Sequence, residues 1–166
     1  MQLIRFISFV LLFIFWGICT YGKSRDISVE YQSYQYNQST STHLYNSPRV
    51  SIDKVTITGG RMDYRKESNQ MIFYENIIVY SKAFLVTAEK ATIDLKSSNN
   101  VFEDTTFYDQ KNKLSGSAAK IEQIDQNHYV MYEAVINSCE PGDKTVLMKS
   151  SRIVYYVDDF AYTTHT

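Results

Sequence analysis

The stretch VTAEKATIDLKSSNNVFEDTTFY, residues 86–108, decides the fold. It alternates apolar and polar residues through Val86-Thr-Ala88 and Ala91-Thr-Ile93-Asp-Leu95, breaks at a polar run from Ser97 to Asn100, and resumes from Val101 to Tyr108. Alternation marks a half-buried strand, because successive side chains point to opposite faces. A short run of Ser and Asn between two such segments is a turn. The stretch therefore reads as a strand, a turn and a return strand.

The same unit recurs along the chain. Units begin near Val55, Val86, Leu114 and Val146, a period of about 30 residues. The first runs from Val55-Thr-Ile57 through Gly59-Gly60 to Met62-Asp-Tyr64, turns at Lys66 to Asn69 and returns from Met71 to Tyr80. The third spans Leu114 to Ile124, a turn around Asp125-Gln-Asn127, and Tyr129 to Ile136. The fourth spans Val146 to Val157, a turn at Asp158-Asp159, and a short return at Phe160 to Tyr162. Gly60-Arg-Met62, Ala91-Thr-Ile93, Ala119-Lys-Ile121 and Ser151-Arg-Ile153 occupy equivalent places. So do Tyr74-Glu-Asn-Ile77, Phe102-Glu-Asp-Thr105 and Tyr132-Glu-Ala-Val135 after the turns.

Units of this size cannot bury an apolar face alone and stack on their neighbours. The expected fold is all-β: a curled antiparallel β-jelly-roll built from repeated strand pairs, after an N-terminal signal helix. Paired glycines at Gly59-Gly60 predict a bulge or sharp bend. A sheet of this kind must curl or pair edge to edge with a partner.

Two segments precede the repeat. Residues 1–22 hold Arg5, an apolar run from Phe6 to Ile18, and small residues at Thr20 and Gly22. This reads as a secretory signal cut after Gly22. The alternative is an uncleaved inner-membrane anchor, since Leu3 to Tyr21 is just long enough to span. A lipoprotein reading through Cys19 is disfavoured by the bulky Trp16 and Ile18 before it. Residues 23–49 are rich in Ser, Gln, Asn, Thr and Tyr, and their scattered apolar residues predict a flexible lead-in segment. Tyr31, Tyr34, Tyr36 and Tyr45 would pin it weakly to a surface. The β-domain is expected over residues 50–166.

Composition narrows the function. Tyrosine is abundant, at 14 residues, with 9 Phe, against 1 Trp and 2 Pro, a balance that suits strands. The formal net charge is −1, and the leader carries only Arg5, so the remainder is one unit more acidic. With no basic excess to neutralise phosphates, nucleic acid is not an expected partner.

Candidate chemistry is sparse. His43, His128 and His165 lack metal-ligand spacing, so no metal is expected. Glu103-Asp104 and Asp158-Asp159 are neighbours in strand or turn, where acid–base pairs do not converge. Leu114-Ser-Gly-Ser117 resembles a nucleophile setting without the strand–turn–helix context. The chain reads as a non-enzyme without cofactors. Cys139, in Asn137-Ser-Cys-Glu-Pro-Gly-Asp143, becomes the single thiol once Cys19 leaves with the signal. It is a disulfide candidate in an oxidising compartment, with a free thiol or a buried inert one as the alternatives.

These residues resemble a known family. The repeated strand pairs resemble the OstA-like periplasmic domain of the lipopolysaccharide-transport (Lpt) machinery, shared by LptA, LptC and the N-terminal part of LptD. Asn100-Val-Phe-Glu-Asp104, Leu114-Ser-Gly-Ser-Ala-Ala-Lys-Ile121, Asn127-His-Tyr129 and Asn137-Ser-Cys-Glu-Pro-Gly142 resemble the LptD branch. The resemblance covers roughly Val50 to Tyr156. It implies an exported jelly roll in the periplasm, associated with the outer membrane, that carries lipopolysaccharide and pairs with other Lpt-type jelly rolls through its edge strands. It also implies an outer-membrane β-barrel partner, to which the family's matching cysteine bridges. Ending at Thr166, the chain is expected to be a truncated or stand-alone LptD-type N-terminal domain. An LptC-like anchored subunit and a structural or adhesive β-repeat protein are the alternatives.

An apolar groove is the expected lipid site. Its candidates are Met62, Tyr64, Ile72, Tyr74, Ile78, Val86, Ile93, Leu95, Phe107, Leu114, Ile121, Val135, Val146, Ile153 and Tyr155. Simple core packing is the competing role for each.

Overall fold

The β-branched and aromatic residues of the repeat form strands throughout. The computed structural model describes residues 26–97, 99–125, 127–137, 146–156 and 161–163, and every regular element among them is a strand. In chain order these are β1 (Ile27–Glu30), β2 (Ser33–Asn37), β3 (Thr42–Asn46), β4 (Arg49–Ile52), β5 (Val55–Thr58), β6 (Arg61–Arg65), β7 (Gln70–Tyr80), β8 (Phe84–Asp94), β9 (Asn100–Asp109), β10 (Leu114–Gln123), β11 (His128–Asn137), β12 (Val146–Tyr156) and β13 (Ala161–Thr163). They pair antiparallel in one sheet. The leader, Cys139 with its turn, Phe160 and His165 lie outside the described residues.

The strands follow a simpler plan than their number implies. β1 with β4 and β2 with β3 share one continuous register, from Ile27 opposite Ile52 to Asn37 opposite Thr42. β4 with β5 and β3 with β6 likewise share one register. The first six strands are thus three long ones, each broken once, at Tyr31-Gln32, Ser47-Pro48 and Gly59-Gly60. The chain is a meander of long strands that all cross the same line midway.

Beyond β6 the strands run through that line unbroken, but their alternation changes. Buried residues there are spaced by three instead of two: Ala88 and Ala91, Phe102 and Thr105, Ala118 and Ile121, Met131 and Ala134. Between them Glu89, Asp104, Ala119 and Glu133 are exposed. In β7 the crossing holds one residue more, Glu75-Asn76 between buried Phe73 and Ile77, and the register with β8 shifts there. Positive φ angles mark the same line, 66° at Glu75, 51° at Asn76, 50° at Asp104 and 46° at Glu133. Two outward residues in succession bend a strand as a bulge does. Because all the strands bend on one line, the sheet folds along a crease and its two halves face each other.

One core lies between the halves. Met62, Phe73, Ile93, Ile121 and Ile153 come from one half, and Val50, Ile57, Ile77, Ala134 and Ile136 from the other, in a single cluster. The larger Phe102, Ile121 and Met131 stand on one side of the crease, and across it small residues, Ala88, Ala118 and Ala134, take the inward positions, so that close packing is kept. Buried Thr105 fits among them because its hydroxyl donates to the Ala118 carbonyl at 2.9 Å. Away from the crease the halves are clasped. Tyr155 lies in the end row of one half, beside Tyr129 and Gln123, while Asp109 and Asn112 lie at the far end of the other. The Tyr155 hydroxyl donates to Asp109 Oδ2 at 3.3 Å and accepts from Asn112 Nδ2 at 3.1 Å.

The curled all-β jelly roll is as the repeat indicated, and the bend at Gly59-Gly60 falls on the crease. Gly60 N–H reaches the Tyr74 and Glu75 carbonyls at 3.1 and 2.8 Å, at the β7 bulge. The lead-in segment requires correction. Residues 27–46 form three strands in the common register, where backbone pairing with β4 and β6 supplies what their scattered apolar residues do not. Val29 and Tyr45 also pack against the core.

Candidate functional site

The inner face of the folded sheet carries the apolar surface. Met62, Ile93, Ile121 and Ile153 are between 0% and 5% exposed and belong to the core cluster. Tyr64, Val86, Leu95, Phe107, Leu114 and Tyr155 are half-buried against it. These ten candidates come together as one surface. Val146 opens β12 opposite Asn137.

Four candidates face outward. Ile72, Tyr74 and Ile78 lie on the opposite parity of β7 from the core residues Met71, Phe73, Ile77 and Val79; Ile78 is 41% exposed, whereas Ile72 is buried at 8% outside the inner cluster. β7 is apolar on both faces, so alternation alone does not say which one turns inward. Val135 fails for another reason: counting by twos from inward Met131 reaches it, but the crease at Glu133 moves the inward set to Ala134 and Ile136. The crease also corrects the repeat alignment. Phe102 matches the inward Phe73 and Met131, whereas Tyr74 and Tyr132 match Glu103. The missed core residues beside the crease in β8 to β11, Ala88, Ala91, Phe102, Ala118, Met131 and Ala134, share one signature, an inward pair separated by two outward residues.

Outside, the crease is flanked by a ladder of directly opposed residues: Arg61, Tyr74, Lys90, Glu103, Lys120, Tyr132 and Arg152. The Arg61 guanidinium sits 4.3 Å from the Tyr74 ring centre, and Lys90 Nζ is 2.6 Å from Glu103 Oε1. Lys120 bonds Glu122 Oε1, and Tyr132 donates to Glu122 Oε2 at 3.0 Å. The Lys120 hydrogen bond holds the Glu122 carboxyl below its ordinary range, and the same bond raises the lysine. Inside, burial first and then the Asp125 and Asp109 carboxylates push the Tyr129 phenol upward.

The inner face changes character at its N-terminal end. Tyr34 opposes Tyr45 and Tyr36 opposes His43, while Tyr45 and His43 in turn oppose Met62 and Tyr64. Direct opposition puts all six on the core-facing side. Yet Tyr31, Tyr34 and Tyr36 are 52%, 43% and 49% exposed. Among the described residues no three His, Cys, Asp or Glu gather as metal ligands. The inner face thus offers a long apolar surface ending in open aromatic rings, without convergent acids, bases or nucleophiles along its core.

Comparison with known proteins gives this geometry a context. No family model matches the chain. Over 104 residues, 63% of its length, it is 23% identical to the LPS-assembly protein LptD of Shewanella denitrificans. The LPS-assembly protein LptD of Saccharophagus degradans matches at the same identity and length. The matched region is 13% and 12% of these two proteins, so the chain corresponds to about an eighth of their length. Its fold is similar to the crystal structure of LptH from Pseudomonas aeruginosa, the LptA-homologous periplasmic component of the lipopolysaccharide transport device. The TM-score is 0.53 at 10% identity, covering 85% of this chain and 96% of that one.

Proposed function

We propose that this chain, an OstA-like domain of the Lpt type by the combined likeness of sequence and fold, is a non-catalytic carrier of lipopolysaccharide. It would work in the periplasm, associated with the outer membrane, as a counterpart of the LptD N-terminal domain. The observation that carries this reading is the apolar inner face running unbroken across both halves of the creased sheet. Exposing an acyl chain to water costs about 0.8 kcal/mol per methylene, so roughly 10 kcal/mol for a chain of about a dozen carbons. A continuous apolar surface removes that cost without any reaction. Since Met62 and Ile153 are fully buried, an acyl chain enters by parting the two halves about the crease. β1 and β2 at one end and β13 at the other end the pairing order of the described strands, and are the edges for docking a similar jelly roll by strand addition. An outer-membrane β-barrel is the further partner, with Cys139 as the residue for a bridge to it.

Photo-crosslinking in living cells tests the reading, with the photoreactive residue placed at Ile93 or Ile121 inside and at Ile78 or Val135 outside. Lipopolysaccharide adducts are expected from the inner pair and not from the outer pair. Absence of adducts from both inner positions sinks the proposal. The closed interior favours a second reading, an exported structural β-repeat protein with a filled core. Purified protein that binds no lipid would select it.

A further inference from the structure

We propose that the open aromatic end of the inner face, formed by β2, β3, β6 and Tyr31, is a binding platform for the pyranose rings of a glycolipid. The inference deepens the carrier reading and rests on it. Tyr31, Tyr34 and Tyr36 keep between 43% and 52% of their surface in water, although Tyr34 and Tyr36 face the same side as buried Met62 and the Tyr31 ring packs against Tyr34 and Tyr45. Their rings lie close to one another and to those behind them: Tyr31 and Tyr34 are each 5.2 Å from Tyr45, and Tyr36 is 4.9 Å from His43. The Tyr34 hydroxyl shares a 2.8 Å hydrogen bond with His43 Nδ1, which fixes that ring.

The chemistry of the platform selects its occupant. Tyr34, Tyr36, His43, Tyr45, Met62 and Tyr64 fill the inward positions of these strands, and none of them is Lys, Arg, Asp or Glu. A phosphate would call for Lys or Arg there. An alkyl chain laid over the phenols would strip water from their hydroxyls and return no hydrogen bond. A pyranose ring meets both demands, with an apolar C–H face for the rings and a rim of hydroxyls for the phenols. Through Met62 the platform continues without a break into the buried apolar core at Phe73 and Ile93. An amphiphile would therefore lie along the inner face with its sugars at β2 and its acyl chains inside.

The test is calorimetric titration of the full chain, purified from the exported fraction, with three probes: lipopolysaccharide bearing core sugars, lipid A without them, and lipid-free core oligosaccharide. The intact protein is expected to prefer the sugar-bearing form by about tenfold. The double variant Tyr34→Leu/Tyr36→Leu is expected to lose that preference and keep its affinity for lipid A. Tyr31→Leu, outside the strands, should weaken the preference even if the double variant perturbs β2. A preference that is absent, or that survives these substitutions, overturns the platform and leaves the carrier reading standing. So does loss of lipid A binding in the variants, or self-association that the substitutions abolish. Oligosaccharide bound without any lipid A binding supports the platform and removes the carrier reading. Binding of none of the probes removes both.

Discussion

Gly116 shows how a single missing side chain shapes the inner face. Within Leu114-Ser-Gly-Ser117 the glycine looked like part of a nucleophile motif, but it sits in mid-strand at an inward position of β10. A Cβ there would come 2.1 Å from the Val135 carbonyl oxygen and 2.6 Å from Phe107 Cζ. The Phe107 ring occupies the space that the absent side chain leaves, and the neighbouring strand closes in behind. Backbone is the obstacle, so no rotamer change relieves the clash. Gly116→Ala is expected to destabilise the fold by about 1–3 kcal/mol, as overpacking does, read as a lower urea midpoint with an unchanged slope. Equal stability of the variant would show that β10 and β11 have slack there. The contrast with Gly60 is instructive: an added Cβ there meets the Glu75 carboxylate, the far end of a flexible side chain, at 2.8 Å.

The crease is the device that elements share, and the ladder outside it ties the strands together where their alternation reverses. Glu122 contributes through its charge. Its folded-state pKa lies below the ordinary 4.5 because Lys120 bonds it, so the contribution is complete above that value and is lost as pH falls through the depressed one. For Lys120 the sign reverses: its raised pKa adds stability that is complete below 10.5 and lost as pH climbs beyond. The pair is partly exposed, so the effect is small. Glu122→Gln should flatten the acid limb of a stability-versus-pH curve; identical acid limbs would mean that the pair does nothing. The repeat, the turns and the bend at Gly59-Gly60 were legible in the sequence, because period-two alternation and glycine pairs act locally. Inward residues were legible within either half, Val86, Phe107 and Leu114 in one and Met62, Ile93, Ile121 and Ile153 in the other, but not by counting across the crease, where the parity reverses. Val135 was misread for that reason. β7 was misread for lack of any polar face. The strands at residues 27–46 escaped notice because their stability is borrowed from neighbours through backbone pairing.

At the scale of the whole molecule, function under the carrier reading depends on how firmly the two halves stay shut. Their shared core favours closure, and the clasp of Tyr155 on Asp109 and Asn112 adds two hydrogen bonds at the rim opposite the crease. Each such bond is worth about 0.5–1.5 kcal/mol net, far less than the roughly 10 kcal/mol that covering an acyl chain returns. A bound lipid would therefore outweigh the clasp, which sets the resting state without preventing entry. Tyr155→Phe removes the hydroxyl and keeps the ring against the core. Global stability should fall by about 1–2 kcal/mol, while amide exchange at the ends of β9 and β12 should quicken more than in β5 and β6, which β7 and β8 separate from β9 in the pairing order. Lipopolysaccharide crosslinking from Ile121 should then increase, because less work is needed to part the halves. A variant that loses stability evenly along every strand, with crosslinking unchanged, would show that the clasp is only one more core contact and that the sheet opens elsewhere.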